Sequence, residues 1–270
     1  MNGNMVGFAT RYTLAALIVE RLRAMRRMLD VQWRRHEIQH LVVDDLFPQR
    51  IAQALFHEFP GPEQMTLHRG LEQRIYVKRN FGPQRSLLEE AVRAFQQPEV
   101  AQVLSEVVGA SRLLPDTQLD ASGISLISRG GFLNPHIPQS HDDLRQHYRV
   151  LNLVYHVTPD WRLSDGGHLE LWHAGPNGHP TTTLAKFNRL IVMATHRASW
   201  NSISRVDARR HRCSLFNCYY SPCSLNMGEY GHLDVFRGRP EQKIRDLLLR
   251  GERSARLLLR KLRDEDPIRQ

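Results

Sequence analysis

The sequence predicts an α+β fold, a jelly-roll β core flanked by N- and C-terminal helices. Three observations lead there. Apolar residues recur at steps of three and four over the first forty residues and again in the last thirty-five, which is the helical period. Between them the period changes to short β-branched and aromatic runs separated by turn residues. No helices of about 10–15 residues alternate with those runs, so a parallel α/β sheet is not expected. The resulting division is a helical extension over 1–40, a β-rich domain over 41–235 and a helical tail over 236–270.

Leu14, Ile18, Leu22, Met25 and Leu29 share one face of a first helix, with Arg21, Arg23, Arg26 and Arg27 mostly on its other flank. The simple reading is a helix laid on the core. The run "LAALIV" is far shorter than the ~20 apolar residues a membrane span needs. Its charges follow rather than precede it, and no small-residue cleavage site appears, so a cytoplasmic location is expected. In "HLVVDDLFPQRIAQALFHEFP", Asp44 or Asp45 is expected to cap a helix beginning near Pro48, with Ile51, Leu55 and Phe56 as its apolar face. Further helices are expected over Ser86–Phe95 and Glu99–Val108.

The expected strands are "GISLISR" (Gly123–Arg129), "YRVLNLVYHV" (Tyr148–Val157), "GHLELW" (Gly167–Trp172), "RLIVMAT" (Arg189–Thr195) and "RCSLFNCYYS" (Arg212–Ser221). Several are apolar on both faces, as strands inside a sandwich or barrel are. Asp165-Gly166-Gly167 favours a tight turn into the third of them. In the tail, Arg256, Arg260 and Arg263 line one helix face, read as solvated in preference to phosphate-binding.

The net charge is +9, supplied almost wholly by arginine. No aromatic-interleaved basic motif accompanies it, so nucleic acid is not the expected partner. Cys213, Cys218 and Cys223 fit neither a zinc knuckle nor a redox pair and read as reduced core thiols. A serine-hydrolase elbow and phosphate-binding glycine loops are absent.

One ordered set of motifs remains: the histidine–aspartate stretch "NPHIPQSHDD", "YRVLNLVYHVTPDW", "DGGHLELW", "KFNRL" and "RCS". Together they resemble the prolyl-4-hydroxylase-like branch of the Fe(II)/2-oxoglutarate-dependent oxygenases, over roughly residues 40 to 240. The resemblance implies a double-stranded β-helix, a form of jelly roll. It also implies Fe(II) held by His-x-Asp and a later histidine, and 2-oxoglutarate held through its distal carboxylate by an arginine, often as Arg-x-Ser. Two imidazoles and one carboxylate leave three iron positions open, two for 2-oxoglutarate and one for dioxygen. A guanidinium binds the distal carboxylate bidentately. Here "RCS" assigns that role to Arg212, with Ser214 as hydroxyl partner.

The metal ligands depart from the pattern. Asn201 stands where the later histidine belongs, with His196 five residues earlier as a displaced substitute. In one register the first ligand is His136, which puts Pro138 at the carboxylate position; in the other the pair is His141 and Asp143. His147, His156, His168, His173 and His179 are read as structural. Three functional readings follow. The first is an oxygenase that hydroxylates an unactivated C–H bond of a small-molecule or peptide substrate, with a non-standard metal site. The second is a pseudoenzyme of the same fold, acting as a binding or non-oxidative module. The third, a basic nucleic-acid-associated protein, has the least support.

Overall fold

The computed structural model describes residues 9–82, 86–225, 228 and 231–264, without the side chains of 253 and 255–264. Helix α1 (Arg11–Ala24) begins where Thr10 and Thr13 cap each other through reciprocal amide-to-hydroxyl hydrogen bonds. Met25 interrupts the run, and α2 (Arg26–Arg35) continues it, so one expected helix is two. Leu14, Ile18, Leu22 and Leu29 are buried, as their spacing requires. Strand β1 (His40–Val43) leads to α3 (Gln49–His57), whose N-cap is Pro48 without a side-chain cap. The expected capping role of Asp44 or Asp45 is therefore corrected. Asp44 instead accepts hydrogen bonds from Arg189 at 2.6 and 2.9 Å and from Lys186 at 3.2 Å, a bidentate guanidinium pair that outweighs a neutral cap.

The hairpin β2 (Thr66–Arg69) and β3 (Gln73–Lys78) precedes α4 (Leu87–Ala94), which Ser86 caps through Glu89 N–H. Helix α5 (Pro98–Val108) opens on Pro98 and stops at Gly109, at φ 71°. The remaining strands are β4 (Leu114–Pro115), β5 (Gly123–Ile127), β6 (Phe132–Ile137), β7 (Tyr148–His156), β8 (Leu169–Leu171), β9 (Thr181–Thr183), β10 (Arg189–Ala194), β11 (Asn201–Ile203), β12 (Arg212–Ser221) and β13 (Val235–Phe236). They pair antiparallel in the order β1-β10-β7-β12-β5-β3-β6-β11-β8-β9, with β2 beside β3, β4 beside β12 and β13 beside β6.

From β5 to β12 the chain crosses back and forth between two four-stranded groups, β10-β7-β12-β5 and β6-β11-β8-β9, staying in the second for the paired strands β8 and β9. That alternation is the double-stranded β-helix, a jelly roll. Helices α1 to α5 cover the outer face of the first group: Leu151, Leu153, Tyr155, Leu215 and Tyr219 join Leu14, Leu22, Leu55, Phe95 and Leu104 in one buried cluster. Each such apolar side chain contributes roughly 1.5–3 kcal/mol when fully buried. Asn188 fastens the entry to β10. Its amide oxygen accepts from the Tyr155 hydroxyl at 2.8 Å and Phe47 N–H at 3.0 Å, and its amide nitrogen donates to Phe47 O at 2.7 Å.

Cys213 and Cys218 lie in the core, but Cys223 is exposed, which corrects the expectation of three core thiols. Helix α6 (Lys243–Asp264) is tied by Asp246, which accepts from Arg237 at 2.6 Å and Gly238 N–H at 2.8 Å. Arg256, Arg260 and Arg263 fall on its undescribed side chains. No described helix is long and apolar enough to cross a membrane.

Candidate functional site

Period-two alternation decides what the barrel encloses. On β12, Cys213, Leu215 and Tyr219 face the helices, so Arg212 and Ser214 face inward. On β7, Leu151, Leu153 and Tyr155 face the helices, which turns Asn152, Val154 and His156 inward. Register then sets neighbours: Ser214 lies opposite Ser125 of β5 on one side and His156 of β7 on the other. Arg212 Nη1 donates to Ser214 Oγ at 3.0 Å, and the Ser214 and Ser125 hydroxyls lie 2.9 Å apart.

Arg212 is only 2% exposed. No ion pair among the described residues includes it, and its Nε has no hydrogen-bond partner. Burial pushes the guanidinium down to about 10. Both ring nitrogens of the buried His156 are likewise without partners. Burial first, then Arg212 and Arg189, hold this imidazole well below its ordinary value. A buried cation without an acid is costly unless something anionic completes it.

Gly167 covers this end. It sits at φ 68°, and a Cβ there would lie 3.0 Å from Arg212 Cδ and 2.9 Å from Val206 Cγ2. The turn read from Asp165-Gly166-Gly167 thus has a second demand, close approach of backbone to the arginine. The neighbouring His168 is fully engaged: its Nε2 donates to Leu163 O at 2.9 Å and its Nδ1 accepts from Ala185 N–H at 3.2 Å.

At the other end, His136 of β6 lies directly opposite Asn201 of β11. Its ring stacks on Phe236, with centroids 5.2 Å apart, and its Nδ1 bonds Asn134 O at 3.1 Å. Asn201 turns its amide nitrogen to backbone, donating to His136 O at 3.3 Å and Ser199 O at 3.2 Å. Pro138, two residues beyond His136, is buried and offers no side-chain donor. Burial lowers the proton affinity of His136; Asp234 opposes that shift and Arg149 adds to it.

The other expected ligands have separate surroundings. His141 bonds Ser140 Oγ at 2.8 Å and leans on Tyr148, and Asp143 is exposed. His196 accepts from Ala198 N–H at 3.2 Å and leaves a buried Nε2 without a hydrogen-bond partner. No group of three His, Cys, Asp or Glu among the described residues converges as a metal site. An imidazole, a proline and an amide turned to backbone do not fit Fe(II), which needs three strong donors on one face. A carboxylate does fit the opposite end, where Arg212 and His156 leave polar nitrogens without partners. Sequence reasoning missed His156 and Gly167; the signal available was the two-residue spacing of inward positions on β7.

Residues 122–220 match the family model of the 2OG-Fe(II) oxygenase superfamily. No curated protein matches the chain. Among solved structures, a prolyl-4-hydroxylase of Pseudomonas putida is similar at a TM-score of 0.52 and 16% identity, over 77% of this chain and 98% of that one. HygX of Streptomyces hygroscopicus, with nickel, 2-oxoglutarate and hygromycin B bound, gives 0.50 and 11% over 78% and 96%. The epimerase SnoN of nogalamycin biosynthesis gives 0.50 and 12% over 74% and 83%. These likenesses concern the fold, and one fold here carries a hydroxylase and an epimerase. Over residues 122–220, then, the chain is similar to the 2OG-Fe(II) oxygenase superfamily, and the solved structures share its fold.

Proposed function

We propose that this protein binds a dicarboxylate of the 2-oxoglutarate type and uses the oxygenase jelly roll as a binding module without iron-dependent hydroxylation. One observation carries the reading. Arg212 is a buried guanidinium with a serine beside it and no carboxylate partner among the described residues. Such a group is stable chiefly when an anion supplies the missing charge, and a planar carboxylate matches its paired N–H donors. His156 adds an imidazole N–H from the adjacent strand. Bound iron would supply dioxygen activation, and the donors at His136, Pro138 and Asn201 do not support it.

Titration of the protein with 2-oxoglutarate, followed by calorimetry, tests the reading. The expected result is saturable binding that Arg212→Gln weakens at least about a hundredfold, since a buried charged pair is lost. Binding indifferent to Arg212→Gln overturns it. Succinate formed from 2-oxoglutarate under Fe(II) and air would instead restore the hydroxylase reading.

A further inference from the structure

Arg149 is a second inward-reaching cation without an ion-pair partner among the described residues. The β7–β12 register shift skips Val150 and reverses the alternation of β7, so Arg149 lies opposite Tyr220, the neighbour of helix-facing Tyr219, and shares its inner face. Its Nε donates to Asn152 Oδ1 at 2.8 Å, which draws the guanidinium along the strand toward the inward-facing Asn152. It is half-buried, and its charge acts on His136 across the barrel and on Cys218 and Tyr220 beside it. A guanidinium thus stands near the imidazole that an iron ion would use. Two positive charges compete for that space, and the arginine is covalently fixed there.

Spacing relates this cation to Arg212. Asn152 and His156 are four residues apart on the inner face, about 13 Å at 3.3 Å per residue. A guanidinium–carboxylate contact at each end takes roughly 4 Å of that span. What remains is about 5 Å, the length of a five-carbon chain between its carboxyl carbons at ~1.5 Å per bond.

We infer that Arg149 holds the second carboxylate of a short dicarboxylate, in the place a metal ion would occupy, so that the barrel grips its ligand between two guanidiniums. The inference rests on Arg212 being the first anchor. It assigns a ligand class, linear dicarboxylates of about five carbons. It also makes divalent metal unnecessary for binding.

The test is calorimetry of the full chain in excess chelator, with 2-oxoglutarate, glutarate and pentanoate as ligands. Expected are binding of both dicarboxylates in the chelator and a pentanoate affinity lower by about ten- to a hundredfold, the worth of one charged hydrogen-bonded pair. Arg149→Gln should bring glutarate down to the pentanoate level and leave pentanoate unchanged. Arg149→Lys, which keeps the charge, should retain part of the difference. A melting curve for each variant confirms the fold. If dicarboxylate binding needs added Mn(II) or ignores Arg149→Gln while still requiring Arg212, this inference falls and the carboxylate site stands. If the unmutated protein binds none of the three, both fall.

Discussion

The two ends of the barrel differ in what they lack. Around Arg212 every protein group is in place: the guanidinium, the Ser214 and Ser125 hydroxyls, the His156 imidazole and the glycine that gives them cover. The missing element is a negative charge. Around His136 the ligand-bearing positions are Pro138 and Asn201, and a cation, Arg149, acts on the one imidazole. The missing elements there are the donors themselves. On the proposed reading, the first end is a binding site short of its ligand and the second a metal position short of its donors. Anion binding and metal binding are separable in such a barrel, because one needs a single buried cation and the other three converging donors.

The largest effect is expected at Arg212. Its burial disfavours the charged form and brings the guanidinium down to about 10. Arg212→Met removes that cost along with the anion anchor. The expected outcome is a higher melting temperature without ligand, together with loss of the stabilisation that 2-oxoglutarate gives the unmutated protein. At a ligand concentration a hundred times Kd that stabilisation is about 2.7 kcal/mol, readable as a thermal shift. A variant that melts lower and still responds to 2-oxoglutarate contradicts the site.

His156 comes next, through pH. Its imidazole is neutral in the fold because burial and Arg212 oppose the proton, while the unfolded chain takes one up below about pH 6.5. Stability therefore falls as pH drops through that value, by up to about 1.4 kcal/mol per pH unit for this residue. His40, His136, His168 and His196 are lowered as well and add their own slopes. The decisive comparison is thus chemical unfolding of His156→Phe against the parent between about pH 5 and 7, where the variant should show the shallower slope. Equal slopes remove His156 from the charge balance of the site. Gly167→Ala is expected to cost about 1 kcal/mol or more in stability, because its φ of 68° suits glycine, and to weaken carboxylate binding by crowding Arg212 Cδ.

How much of this was readable in advance follows the same division. Helices α4 and α5 and strand β12 match their expected spans closely, because their periodicity is strong and their stops are Ser86, Pro98 and Gly109. Arg212 and Ser214 were visible as an ordered motif. Strand β6 was not, although it carries His136, because Pro135 and Asn134 interrupt its strand pattern and Pro138 follows it closely. Its partners compensate: β3, β11 and β13 pair with it, and Arg237 N–H donates to Pro135 O at 2.9 Å. The choice between His136 and His141 as first ligand depended on that strand. His156 and Arg149 were hidden for another reason. Each is ordinary in its own segment and gains meaning only from the β7–β12 register, which is a long-range property.

A change of about tenfold in metal affinity is the most discriminating effect for the iron end. Restoring donors with Pro138→Asp and Asn201→His places a carboxylate and an imidazole at the two departing positions. The introduced imidazole would sit directly across the strand pair from His136, as Asn201 does now. If absence of donors were the whole difference between the ends, this double variant would bind Co(II) as tightly as its donor set allows. Arg149 is expected to hold it below that. Adding Arg149→Gln should raise Co(II) affinity by a further factor of about ten, the scale of one unit charge several ångströms away in a partly solvated interior. Visible absorption of bound Co(II) reads the result without any turnover. A double variant that binds Co(II) equally with and without Arg149 would show that the cation is a bystander and that lost donors alone separate the two ends. A stepwise gain would show that the metal position was lost twice, once by removal of ligands and once by a charge that now serves an anion.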